Sequence, residues 1–241
     1  MGTGSPERTT GARAAWSLLR RNADFRRLFL ASVISLGGDW FLFVAIGSLV
    51  YEATGRAASI GLVILAQELP FFFASWIGGI LADRVDRRKL MIVCDLARAA
   101  VCVSFLLASP ERLWLAFVLL AVLSTFAGPY DPAFSAATPN VVDPEDLPTA
   151  NALNGSLWGT MLAVGAALGG LVAAAFGADT AFLVDAASFV VSALLLLRIR
   201  RPFSEAREAQ EHPGPVEATR ETVRYARRDH RVLALLVVKS G

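Results

Sequence analysis

The sequence has little of the chemistry on which secreted domains and many enzymes depend. Its 241 residues include only two cysteines and two histidines, and 18% of the residues are charged. Cys94 and Cys102 share one apolar run, where a helix would separate them by about 12 Å, too far for a disulfide. His212 and His230 lie in a charged segment and have no evident catalytic partner. A disulfide framework, a metal cluster and histidine-based catalysis are therefore not expected.

Sequence motifs for nucleotide-driven or enzymatic chemistry are also absent. The chain has no Gly-x-x-x-x-Gly-Lys-Ser/Thr loop, so ATP is not expected to be a direct fuel. It has no arrangement of residues that would form a nucleophile with its base, and no cofactor motif. We therefore expect no enzymatic activity, no cofactor and no nucleic-acid partner.

Long apolar runs are what the sequence does have. Hydrophobic residues make up 55% of the chain and the mean hydropathy is +0.52. They are gathered into runs of about 20 residues, the length that spans about 30 Å of hydrocarbon as a helix. The sequence thus predicts an all-α membrane protein with six transmembrane helices. They lie near 28–51, 59–82, 90–108, 113–128, 150–176 and 180–197.

The distribution of basic residues predicts how these helices are oriented. Of the 23 Lys and Arg residues, 19 lie in segments 1–27, 83–89, 133–149 and 198–231. The loops on the other side contain only Arg56 and Arg112. Because loops rich in Lys and Arg stay in the cytoplasm, the amino terminus is expected to be cytoplasmic.

The charge pattern also divides the chain into four segments. They are a cytoplasmic arm (1–27), a six-helix bundle (28–197), a cytoplasmic central linker (198–231) and a truncated start of a seventh helix (232–241). Within the arm, residues 1–14 are expected to be disordered and Ala15–Arg27 to form an amphipathic helix on the membrane surface. Two prolines in 128–132 predict that the fourth helix kinks or ends there, leaving 133–149 as a polar loop.

A charged hairpin between the second and third runs carries a resemblance to a known family. Its spacing is Gly79-x-Leu81-Ala82-Asp83-Arg84-x-x-Arg87-Arg88. This spacing resembles the signature loop between helices 2 and 3 of the major facilitator superfamily, with Asp86 standing where that loop often has glycine. The resemblance implies the N-terminal half of a twelve-helix fold, in which six helices form two three-helix repeats. The similarity of 78–82 to 169–173 agrees with such a repeat.

Further stretches are similar to the branch that contains enterobactin exporters and macrolide-efflux proteins. They are Phe25–Phe29, Gly38–Trp40, Pro132–Ser135, Ala150–Leu153 and Tyr225–Asp229. This resemblance implies a multi-pass transporter of the bacterial inner membrane. It would export a small, partly apolar molecule, drug-like or siderophore-like, by alternating access driven by protons.

The same resemblance implies that the hairpin is a gate whose charge pairs hold two halves together. The residues concerned are Gly79, Asp83, Arg84, Arg87 and Arg88. Asp95 and Arg98, three residues apart on one helix face, can neutralise each other. They either extend this charge network or form a local pair. The alternative for the whole hairpin is a plain topology anchor.

Two acids are predicted to lie near the middle of the bilayer. Asp39 is about 17 Å and Glu68, beside Gln67, about 14 Å into their helices. Acids at that depth normally face a cavity, so these residues are candidates for carrying a proton or binding a cationic group. A structural hydrogen bond is the alternative. Asp131 and Asp185 are interpreted as structural, and Asp185 is placed within reach of water, about five residues from the outer face.

The fifth run contains a glycine pattern that resembles an exporter motif of the superfamily, Gly-Pro-x-x-Gly-Gly. Gly165, Gly169 and Gly170 match the glycines, whereas Ala166 replaces the proline. Close helix packing explains the same glycines without implying a direction of transport.

Two rival interpretations remain open at this level. In one, the chain is a membrane-embedded enzyme of lipid or cell-wall metabolism that uses clustered acids such as Asp83 and Asp86. In the other, it is a non-transporting fragment or a half that pairs with a second copy, because it stops inside a seventh apolar run. A transporter would need the other half, membrane lipids, protons and a small-molecule substrate as partners.

Overall fold

The structure, a computed structural model, describes residues 11–203, which form helices joined by short turns. The helices are α1 (Gly11–Arg21), α2 (Ala23–Thr54), α3 (Ala58–Arg84), α4 (Arg87–Ser104), α5 (Leu113–Ala127), α6 (Tyr130–Val141), α7 (Leu147–Phe176) and α8 (Ala178–Leu197). Six stretches are long and apolar enough to cross a membrane, and α5 with α6 makes up the fourth. The prediction of six spans is confirmed. Residues 1–10, most of the predicted linker and the predicted seventh helix lie outside the described residues.

The helices pack in a pattern that relates the first three spans to the last three. The second span, α3, packs along α5 and α6 of the fourth, and the fifth span, α7, packs along α2 of the first. The first glycine of each Gly-Gly pair lies at these crossings. A Cβ atom on Gly78 would overlap the backbone of Pro129, and one on Gly169 would lie 2.8 Å from Cα of Phe41. The two predicted three-helix repeats are thus reflected in equivalent close contacts.

The fourth span agrees with the sequence-based expectation at its break and differs from it beyond the break. The helix is interrupted after Ala127, as the prolines predict, but most of the predicted polar loop over 133–149 is helical, and only 142–146 connects α6 to α7. After the break, α6 continues to Val141. Pro132 falls in its first turn, where a missing N–H is tolerated. Ala133, Ala137 and Val141 are fully buried, so an apolar stripe stabilises the helix against the bundle.

The amino-terminal segment is also divided differently from the prediction. Ala15–Arg27 is not one helix, because Asn22 has an extended backbone and separates α1 from α2. The Asn22 side chain accepts the N–H of Phe25 at 2.9 Å and donates to the carbonyl of Val141 at 2.8 Å. Asn22 therefore caps α2 and ties its start to the end of α6.

Two apolar cores fill the bundle, one above the other. The first surrounds Phe25, Leu28 and Met91, and the second surrounds Leu42, Phe105 and other side chains toward the opposite end. Along α2, Ala31 belongs to the first core and Leu42 to the second. The polar side chains of α2 lie between these positions. The bundle therefore has a polar layer near its middle.

Candidate functional site

The polar layer is built from three helices that carry polar residues at the same spacing. Each helix contributes residues at i, i+3 and i+7, positions that share one helix face. They are Ser32, Ser35 and Asp39 on α2, Asp95, Arg98 and Cys102 on α4, and Asp185, Ser188 and Ser192 on α8. Because α2 and α4 both pack along α8, the three stripes meet inside the bundle.

Arg98 is the centre of this cluster and is almost completely buried. Its Nη2 donates to the carboxylate of Asp39, and its Nη1 donates to Ser35 Oγ at 3.3 Å. The same Nη1 lies 3.9 Å from the carboxylate of Asp95, and the guanidinium stacks 4.0 Å from the ring centre of Phe189. The buried Nε of Arg98 has no hydrogen-bond partner among residues 11–203. Arg98 therefore joins α4 to α2 through Asp39 and Ser35, while it also faces Asp95 on its own helix.

The other two acids of the cluster are fully buried. Asp95 accepts a hydrogen bond from Ser192 at 2.6 Å and a longer one from Ser35. Asp185 accepts from the thiol of Cys102 and from Ser188, both at 3.2 Å. In contrast, the Asp39 side chain is 25% exposed. Asp39 is thus the carboxylate of this cluster that is partly exposed at the surface of the described bundle.

The position of Asp185 corrects the sequence interpretation. It was placed within reach of water because of its distance from the helix end, yet its exposure is zero. The reason lies on the neighbouring helix, where a Cβ atom on Gly38 would overlap both Asp185 and Ser188. Because Gly38 has no side chain, α2 approaches α8 closely and buries the Asp185 carboxylate. The i, i+3, i+7 spacing of Asp185 with two serines was the signal that could have identified it.

The remaining candidate acids lie apart from the cluster. Gln67 is half-buried and Glu68 is exposed, both on α3, which contributes no side chain to the polar layer described above. Asp131 is exposed near the start of α6. The structure therefore brings Asp39, Asp95 and Arg98 together and leaves Gln67 and Glu68 separate.

The charged hairpin is held to the bundle by its arginines. Arg87 donates to three backbone carbonyls, those of Ala82, Ala136 and Phe203, at 2.9–3.2 Å. Arg88 donates to the carbonyls of Leu196, at 2.9 Å, and Leu197. These last two acceptors are the final turn of α8, where the negative end of the helix dipole favours a cation.

The acids of the hairpin have different environments. Asp83 is exposed at the end of α3, with its carboxylate 3.9 Å from Arg87. Asp86 caps α4, because its side chain accepts the N–H groups of Arg88 and Lys89 at 2.9 and 3.2 Å. Helix capping explains an aspartate where the family often has glycine. Arg84 is exposed, and a Cβ atom on Gly79 would meet nothing within 4 Å.

Replacing Arg88 is expected to destabilise the bundle. Arg88→Gln removes two charge-assisted hydrogen bonds and the cation at the end of α8, which corresponds to about 1–2 kcal/mol. Apparent thermal stability at a fixed scan rate measures the loss. Lys89→Gln is the matched control, since the neighbouring Lys89 is exposed. Equal stability of the two variants would contradict the capping role.

The glycines of α7 differ in how closely they are packed. A Cβ atom on Gly165 would lie 2.9 Å from the side chain of Trp40, and one on Gly169 would approach the backbone of Phe41. For Gly170 the nearest atom would be Val44 Cγ1 at 4.0 Å, an ordinary contact. Two of the three glycines thus permit the close approach of α7 to α2.

No group of three His, Cys, Asp or Glu side chains is arranged to hold a metal ion within residues 11–203. Asp39 and Asp95 lie against the guanidinium of Arg98, whereas Asp185 accepts hydrogen bonds from Cys102 and Ser188. The chemistry that this arrangement supports is exchange of partners among charged groups.

Comparison with known proteins shows the family. The sequence profile of the family described as transmembrane secretion effector matches residues 13–240. The enterobactin exporter EntS of Salmonella typhimurium is 32% identical over 196 residues, which are 77% of this chain and 45% of the exporter. Macrolide efflux protein A of Streptococcus pyogenes is 26% identical over 219 residues, 89% of this chain and 54% of that protein.

Two further comparisons give another similar transporter sequence and a solved structure with a similar fold. The uncharacterized MFS-type transporter YfiS of Bacillus subtilis is 26% identical over 214 residues, 88% of this chain and 51% of the transporter. The crystal structure of the peptide transporter POT superposes with a TM-score of 0.60 at 19% identity, covering 95% of this chain and 50% of that one. The chain spans about half the length of the curated relatives that it matches.

Proposed function

Because the chain belongs to the transmembrane secretion effector family of major facilitator transporters, we propose that it forms the N-terminal half of a proton-driven exporter. The exporter works by alternating access, in which two six-helix halves rock about a central site. Its substrate is a small, partly apolar molecule, as the names of the enterobactin and macrolide relatives suggest. The charge distribution supports a bacterial inner-membrane location with a cytoplasmic amino terminus.

The observation that carries this proposal is the ion pair between buried Arg98 and partly exposed Asp39. A proton that reaches Asp39 neutralises its carboxylate and weakens its attraction for Arg98. Asp95, 3.9 Å from the same guanidinium, is then the alternative partner. Since Asp39 is on α2 and Arg98 and Asp95 are on α4, the exchange changes the contact between two helices. Protonation is thereby coupled to helix position.

The proposed second half packs against the sides of the bundle formed by α3 and α7. These two spans are the least buried, with 11% of the apolar window of each enclosed by the described chain. On α3, large apolar side chains such as Phe72, Phe73 and Trp76 are exposed. The hairpin residues Asp83 and Arg84 lie at the end of α3, where they would face charges of that half. Either a C-terminal half or a second copy of the chain would supply this partner.

Asp39→Asn is expected to uncouple transport from the proton gradient. The test uses inverted membrane vesicles of producing cells, with enterobactin and a macrolide as probes and an imposed proton gradient. Coupling to one proton sustains about a 50-fold concentration ratio of the probe for each 100 mV of membrane potential. The variant loses this contribution. Steady-state accumulation should therefore fall to the level without a gradient, whereas downhill exchange of the probe should continue.

Asp179→Asn is the matched control, because Asp179 is an exposed acid in the first turn of α8, outside the cluster. It should accumulate the probes as the unmodified protein does. Accumulation by Asp39→Asn that still follows the gradient would refute the role of Asp39 in proton coupling. Loss of downhill exchange as well would show that Asp39 has a structural role instead.

A further inference from the structure

Helix α1 is fixed to the bundle by one of its faces. Leu18 is fully buried in the first apolar core. Arg21 forms an ion pair with Asp146, next to the start of α7. Arg26, in the first turns of α2, donates to the carbonyl of Leu19 at 3.1 Å and so caps the end of α1. These contacts fix the orientation of α1 on the bundle. The face opposite Leu18 is therefore directed away from the bundle.

The opposite face of α1 is exposed and has a distinctive composition. At 100° per residue, Arg13, Trp16, Ser17 and Arg20 lie within about 100° of one another, and Leu18 lies on the far side. All four are exposed, Trp16 to 65%. The helix contains three arginines and no acid. An indole flanked by arginines three residues before it and four after it combines an apolar ring with two cations on one surface.

The position of α1 along the chain places this face near the membrane boundary. Only Asn22 separates α1 from α2, and the apolar run of α2 begins at Leu28. Residues 23–27 therefore raise the end of α1 about 7.5 Å above the hydrocarbon. The headgroup layer is about 5–7.5 Å thick on each side of a bilayer, so its outer edge is level with the end of α1. Helix α1 thus ends at the level of the lipid headgroups.

We propose that the face formed by Arg13, Trp16, Ser17 and Arg20 binds the anionic lipid headgroups of the leaflet at the amino-terminal side. The two guanidinium groups contact lipid phosphates, and the Trp16 ring lies at the level of the headgroups, where amphipathic rings concentrate. The positive charge of α1, without any acid, matches an anionic leaflet. This contact anchors the start of the first span from the side opposite to its packing in the bundle.

The experiment uses the full chain in nanodiscs of phosphatidylcholine, with or without phosphatidylglycerol. Ser17→Cys carries a bimane probe, and the unsubstituted chain gives the background because Cys94 and Cys102 are buried. Nitroxide lipids report contact with lipid, and aqueous iodide reports contact with water. We expect nitroxide quenching to rise and iodide quenching to fall when phosphatidylglycerol is present, and high salt to reverse the change.

Substitutions separate the contribution of the two arginine charges to lipid binding from that of the Trp16 ring. Each arginine replaced by glutamine should lower the ratio of lipid-bound to free α1 about fivefold, so that Arg13→Gln with Arg20→Gln lowers it about 30-fold. Trp16→Ala should also lower it. Trp114→Ala is the matched control, because Trp114 is exposed to the same degree, 66%, at the start of α5, and this variant should behave as the parent.

Two results would overturn the proposal. In the first, iodide reaches the probe equally in both lipid mixtures, which would show that the face is in water. In the second, the probe is shielded from both iodide and nitroxide lipids, which would show that protein covers the face. All these substitutions are at exposed positions, and gel filtration of the solubilised variants verifies that the bundle is intact.

Discussion

Arg98→Met should prevent the protein from accumulating in a folded form. The substitution removes Arg98 from the cluster of Asp39, Asp95 and Asp185, and two of these three acids are fully buried. Removing one partner of a buried charge cluster typically costs about 3–5 kcal/mol, a large part of the stability of a domain. The measurement is the yield of monodisperse protein after membrane extraction, followed by its apparent thermal stability.

Compensating substitutions make this expectation specific to charge. Arg98→Met combined with Asp39→Asn and Asp95→Asn should recover part of the yield, because the uncompensated carboxylates are removed together with the cation. Arg98→Lys should be intermediate, since a compact ammonium group cannot bridge two carboxylates as a guanidinium does. Arg56→Met, in the turn between α2 and α3, is the control and should leave the yield unchanged. A triple variant no better than Arg98→Met alone would indicate that the packing of Arg98 on Phe189, not its charge, stabilises the bundle.

The spans could be predicted from the sequence because each depends on a local property. A run of about 20 apolar residues is sufficient to indicate a membrane helix, whatever it packs against. The family resemblance likewise depends on a short hairpin whose spacing is visible in the sequence. The error over 133–149 has the opposite origin. Prolines at 129 and 132 are local signals for a break, whereas the burial of Ala133, Ala137 and Val141 depends on helices far away in the sequence.

The central cluster could be predicted only in part. Asp95 and Arg98 are neighbours on one helix, so their proximity follows from spacing alone. The pairing of Arg98 with Asp39 instead depends on how α2 and α4 cross, which no local pattern specifies. When each helix is considered alone, neither Asp185 nor the serines of α2 and α8 indicate a site. The three stripes with equal i, i+3, i+7 spacing form one polar cluster only because α2 and α4 both pack on α8.

The partners of the hairpin arginines could not be predicted from the sequence either. The resemblance indicated which arginines matter, but their partners in the structure are mostly backbone carbonyls. A carbonyl is present at every residue, so the sequence contains no mark that identifies Leu196 or Phe203 as an acceptor. Only the fold selects them, by ending α8 beside Arg88 and placing residue 203 beside Arg87.

Alanine in place of the first glycine of each Gly-Gly pair should destabilise the bundle, whereas alanine in place of the second should not. For Gly78→Ala, the new Cβ would overlap backbone atoms of Pro129, and for Gly169→Ala it would lie 2.8 Å from Cα of Phe41. Backbone cannot move as the end of a side chain can, so α3 and α6, or α7 and α2, must separate. Overpacking of this kind costs about 1–3 kcal/mol.

The second glycines provide matched controls one residue away. Gly79→Ala meets nothing within 4 Å, and Gly170→Ala meets only Val44 at 4.0 Å. Alanine is the better helix former by about 1 kcal/mol, so these two variants should be as stable as the parent or more stable. The apparent thermal stability of all four variants, measured at one scan rate, tests whether alanine destabilises the first positions and not the second ones. Destabilisation by Gly79→Ala would instead show that the second position is packed against a surface outside residues 11–203, such as the proposed other half. A loss confined to Gly78 would mean that the two repeats do not share this contact.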